Sequence, residues 1–190
     1  MLLPIVAAFE WLAVIVNGPM DTDRLLTQAL GYCRQAGDGE ATALVKARAL
    51  RNGWQEVWED TSGLDTFEVV EREIEWRRFD RGRLRSIHVT FYDNPDQDGW
   101  RGVCGVEVDG FPKDFYSHFR VARAFTRGLR PLVGPDGRDR KQIEAMDLGD
   151  RVKWFGDRQW RLDFGRFGDE KDPSTGLTYF VAGEKATAPK

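Results

Sequence analysis

The chain is short of the residues from which most catalytic and metal sites are built: its 190 residues include two cysteines and two histidines. Cys33 and Cys104 are too few for a disulfide framework and too sparse for a cysteine-rich metal site. They read as two reduced, buried thiols in a cytoplasmic protein. A zinc centre would need both His88 and His118, and no short metal-ligand spacing is present. Glycine-rich phosphate loops are also missing. The nearest pattern, Gly102-x-x-Gly105, falls inside a predicted strand and lacks the following Lys-Ser/Thr.

Long apolar runs are scarce as well. Residues 1–16 are apolar apart from Pro4 and Glu10, but Asn17-Gly18-Pro19 ends the run short of the roughly 20 residues a spanning helix needs. A secretory signal would want a basic start and an Ala-x-Ala-like cleavage site, and the first basic side chain is Arg24. Three readings stay open for residues 1–19: a buried element, an extension upstream of a true start at Met20, or an uncleaved membrane anchor. Apart from such an anchor, no membrane partner is expected, and nothing calls for a cofactor.

Charge of both signs is plentiful: 28 Lys and Arg stand against 31 Asp and Glu, a net charge of -3. That balance argues against coating nucleic acid by bulk charge. The acidic excess lies entirely in residues 1–60, however, so the centre of the chain can still hide a basic surface. With 7 Trp and 12 Phe the chain has the apolar bulk for one core, and residues 20–182 read as a single domain with a disordered tail over 183–190.

The pattern is helical first. Leu25, Leu26, Ala29, Leu30 and Cys33 form one stripe, with Asp21 or Thr22 as N-cap and Gly37 as the stop. A second helix over 40–51 would close a helical hairpin. Alternation then predicts strands at 54–59, 67–79, 84–92 and 100–108, with a hairpin turn at 80–83 and a loop at 93–99. A short helix at 139–146 precedes a terminal hairpin (152–155 and 159–164, with Trp160, Leu162 and Phe164 inward), a polar loop over 165–176 and a last strand at 177–181. The expected fold is α+β: an N-terminal helical hairpin, an antiparallel meander of five to seven strands, and one amphipathic helix over 113–130 packed on it.

That last helix carries the main candidate site. Placed at about 100° per residue, Phe115, His118, Phe119, Val121, Ala122, Phe125 and Leu129 share one arc, and Arg120, Arg123, Arg127 and Arg130 share the next. No acidic residue occurs between Asp114 and Asp136. Like charges at helical spacing repel by a few tenths of a kcal/mol per pair unless an anion meets them, and guanidinium groups suit carboxylates and phosphates. The alternative is neutralisation within the molecule, for instance by Glu71, Glu73 and Glu75.

Other patterns are weaker. Residues 94–99 resemble the opening of an EF-hand calcium loop, but position 12 of such a loop would be Gly105 where a bidentate Glu belongs. His118, on an apolar arc, reads as a core histidine. Cys104 and His88 lie on strands that could pair, which leaves a Cys/His nucleophile conceivable. The tryptophans read mainly as sheet packing.

The functional expectation is therefore a small non-enzymatic cytoplasmic protein that binds and inhibits a partner protein, as immunity and antitoxin-type proteins do, with an acidic protein surface as partner. The alternatives are a nucleic-acid or phosphate-binding module using the four arginines, and an enzyme whose pocket is assembled from distant residues.

Overall fold

The computed structural model describes residues 22–57, 72–80, 83–95, 99–109, 115–135, 139–156, 159–168 and 173–182. The readings made for residues 1–19 and the 183–190 tail lie outside them, as do 58–59, 67–71, 81–82, 96–98, 113–114 and 169–172 of the expected strands, helix, turn and loops. The elements run α1 (Thr22–Gly37), α2 (Thr42–Arg51), β1 (Gln55–Val57), β2 (Arg72–Asp80), β3 (Arg83–Pro95), β4 (Trp100–Asp109), α3 (Phe115–Phe125), α4 (Arg140–Glu144), β5 (Arg151–Gly156), β6 (Trp160–Gly168) and β7 (Pro173–Ala182). The fold is α+β, with a helical N-terminal part.

The strands form one antiparallel sheet in the order β1-β2-β3-β4-β7-β6-β5. It consists of two meanders, and the second returns its last strand beside β4. The register explains that return, because Cys104 faces Tyr179 and Val106 faces Leu177, extending one apolar face across the junction.

Parts of two expected loops are strand. β3 continues through Asp93 to Pro95, with its register shifted between Phe91 and Asn94, so the calcium-loop resemblance begins inside a strand. The supposed polar loop at 165–176 holds the end of β6 and the start of β7, paired from Gly165↔Gly176 to Gly168↔Pro173. Its glycines misled the reading. A Cβ on Gly176 would stand 2.1 Å from the Phe167 ring, so this bare position lets that ring lie across the neighbouring strand.

One sheet face, the inner face, packs against the helices. Leu25, Leu26, Ala29, Leu30 and Cys33 are all buried, as their stripe predicts. α3 turns Phe115, His118, Phe119 and Ala122 inward. Phe119 meets Trp154 at 5.6 Å and Phe164 at 5.5 Å between ring centroids, and Phe115 meets Phe164 at 4.8 Å. The helical hairpin is tied by Arg48, which takes both carboxylate oxygens of Glu40 at 2.7 and 3.1 Å.

The two thiols are a correction. Cys33 and Cys104 form a disulfide between α1 and β4, with Cα atoms 5.2 Å apart and both residues fully buried. The helical stripe aims Cys33 at the sheet and strand alternation aims Cys104 at the helix. Linear spacing shows neither direction.

Candidate functional site

α3 is shorter than the helix expected over 113–130, and its end redistributes the arginines. The Gly128 N–H donates to the Arg123 carbonyl at 3.1 Å and the Arg127 N–H to Ala124 at 3.0 Å, the paired bonds of a Schellman motif. Arg127 occupies the left-handed position of that motif at φ 57°, where glycine is usual, and Gly128 follows at 74°. Thr126 is buried, and its hydroxyl donates to the same Arg123 carbonyl at 2.8 Å, a local bond that competes with helix continuation. Arg120 and Arg123 therefore lie on the helix, Arg127 in its cap and Arg130 in the segment beyond. The four do not make one helical stripe.

They make a flank instead. After the cap the chain runs along the open edge of β5: the Leu132 N–H donates to the Lys153 carbonyl, and the Lys153 N–H donates to Val133, both at 2.9 Å. This track leaves apolar side chains in solvent, with Leu132 58% exposed and Leu129 41%. Val133 and Leu148 are exposed as well, and Leu148 bridges to Arg166 near the start of β5. Among the described residues, none of the guanidinium groups of Arg120, Arg123, Arg127 and Arg130 has an acidic partner. Glu71 lies outside those residues. Glu73 and Glu75 lie on β2, separated from β7 by β3 and β4.

His118 is a core residue: it is fully buried, and its Nδ1 lies 2.8 Å from the Thr175 hydroxyl. The Cys/His nucleophile fails on two counts. Cys104 is bonded to Cys33, and it points inward with its partner Phe91, whereas His88 pairs with Glu107 on the opposite face. That face does assemble Ser86, His88 and Asp109. Ser86 Oγ (3.1 Å) and Asp109 Oδ2 (3.5 Å) both approach the same imidazole nitrogen, Nε2, whereas a nucleophile relay needs its acid on the other nitrogen. Among the described residues no group of three or more ligating side chains could hold a metal ion.

The sequence reading missed a second cluster, on the outer face of β5, β6 and β7. Arg161 is buried there, 3.9 Å from the centre of the Phe180 ring and 5.5 Å from that of Trp100. Its Nε comes within 3.0 Å of Asp163 Oδ1, off the axis of a hydrogen bond, so the contact is ionic. Lys153 Nζ stands 3.8 Å from the other carboxylate oxygen. Burial pushes the Asp163 carboxyl above its ordinary value, against the opposing pull of Arg161, Lys153 and Arg151. The available signal was β6 itself, where Arg161 and Asp163 alternate with inward Leu162 and Phe164.

The chain has no match among protein-family models, curated proteins or solved structures.

Proposed function

We propose that the protein is a non-enzymatic binding protein that docks an acidic surface of a partner protein, in the manner of immunity and antitoxin-type proteins, through Arg120, Arg123, Arg127 and Arg130. The observation that carries this reading is the flank: four guanidiniums without an acidic partner among the described residues, interleaved along the chain with exposed Leu129, Leu132 and Val133. Arginines beside exposed apolar side chains suit a protein interface, where arginine is enriched among the residues that dominate binding. Phosphate contacts come from charged and polar groups, so a surface that only tracks phosphates leaves the exposed leucines unexplained. Arg127 adds weight, since a non-glycine residue in the left-handed region costs about 1–2 kcal/mol, and strain of this kind collects at functional positions.

The cytoplasmic expectation rested on free thiols, and the Cys33–Cys104 bridge supports an oxidising compartment instead, where such bonds persist. No described helix is long and apolar enough to cross a membrane.

The test purifies the native chain and an Arg123→Glu, Arg127→Glu variant from the producing cell and compares the stoichiometric protein retained by each. Loss of that partner from the variant supports the docking reading. A partner retained equally by both overturns it. Tight binding of a DNA or RNA duplex that falls linearly with log salt and vanishes in the variant would replace the protein partner with nucleic acid.

A further inference from the structure

The outer-face cluster carries an inference separate from the docking flank. In a flat sheet β4 and β5, three strand spacings apart, would be about 14 Å from each other. Yet the rings of Trp100 on β4 and Phe155 on β5 meet at 5.6 Å, which requires the sheet to curl towards this face. The curl explains why Trp100, Arg161 and Asp163 are buried on the side opposite α1 and α3.

Inside the curl, charges are unevenly matched. Asp163 faces Arg161 through one oxygen and Lys153 through the other, and Arg151 adds a third cation nearby. Arg151 stacks over Phe167 at 3.7 Å and is half-buried, as is Lys153. Lys153 shares Asp163 with Arg161, and Arg151 feels Asp163 and the neighbouring Asp150, so three cations face two carboxylates, and a partly desolvated cation is stabilised when a further anion meets it. Two residues from Lys153 on the same strand face is Phe155, whose ring is half-exposed beside Trp100. Lys153 is also held in place, since its backbone is hydrogen-bonded to Leu132 and Val133 on one side and it lies opposite Asp163 of β6 on the other.

We propose that this face binds a small planar ring bearing an oxyanion, with the carboxylate or phosphate between Lys153 and Arg151 and the ring against Phe155. Arg161 and Asp163 form the floor: their mutual contact and the aromatic stack fix the height at which Lys153 presents its ammonium. Lys153 gives the anion a charge-assisted hydrogen bond, and Phe155 distinguishes a ring-bearing ligand from a bare ion.

Calorimetric titration of the native protein in phosphate-free buffer, using benzoate, phenyl phosphate, inorganic phosphate and benzyl alcohol, tests the site. The expected result is saturable binding of benzoate or phenyl phosphate at least about tenfold tighter than inorganic phosphate, with no binding of benzyl alcohol. The order of the two aromatic probes tells a carboxylate ligand from a phosphate one. Lys153→Gln and Arg151→Gln should each weaken the better probe by about tenfold while the thermal transition stays in place, and Arg34→Gln on α1 should leave binding unchanged. Absence of saturable binding at millimolar probe overturns the proposal. So does equal affinity for inorganic phosphate, equal loss in Arg34→Gln, or full affinity in both site variants.

Discussion

Leu162 and Phe164 alternate with Arg161 and Asp163 along one strand, and all four are buried, but by opposite means. On the inner face, burial is shared area: Phe164 sits among the rings of Phe115, Phe119 and Trp154. On the outer face, burial is compensation: Arg161 needs Asp163 and two aromatic rings to leave water at all. The first arrangement tolerates any well-packed apolar neighbour. The second depends on particular partners, so it is the face on which a ligand can change the balance.

The largest expected effect breaks the inner face. Phe119→Ala removes the ring at the centre of the aromatic cluster and should cost about 3–5 kcal/mol in denaturant unfolding, whereas Lys153→Gln outside should stay within about 0.5 kcal/mol. Equal effects would erase the distinction between the faces. Next comes the staple. Replacing Cys33 and Cys104 together by serine should cost about 2–4 kcal/mol, because the bond closes a long loop, and reducing agent should lower the native protein's thermal transition but not the variant's.

A third experiment reads the outer face by pH. Burial holds the Asp163 carboxyl above its ordinary value, so the unfolded chain gives up that proton first. The contribution to stability is fully present below the usual carboxylate range and is lost as pH rises through the folded value. Asp163→Asn cannot ionise and should show a flatter fall of stability over that window. A steeper fall in the variant would mean that Arg161 and its neighbours outweigh desolvation. The smallest effect is at the cap. Arg127→Gly relieves a left-handed arginine and should gain less than about 1 kcal/mol, while weakening the partner that the flank retains. A loss of stability would show that the Arg127 side chain holds the cap.

Much of the architecture was legible in the chain. The α1 stripe, the inward face of β4 and the placement of His118 in the core all follow from periodicity, because burial on one face writes a period of 3.6 or 2 into the sequence. The end of α3 was not legible. Arg127 and Arg130 continue the helical spacing perfectly well, and what stops the helix is a Thr126 hydroxyl turned back on the backbone with a Schellman closure. The end of β6 and the start of β7 escaped for a related reason: the glycines that read as loop are strand positions over which Phe167 and Arg151 lie.

By itself the sequence determined the α+β class, the faces of its helices and the lack of acids between Asp114 and Asp136, since each depends on residues near one another in the chain. Only the tertiary structure decided that Cys33 meets Cys104, that β7 pairs with β4, that the arginines are split between helix, cap and following segment, and that Arg161 is buried beside Asp163 and Trp100. Those outcomes depend on which distant segments share a surface, and local periodicity carries no information about that.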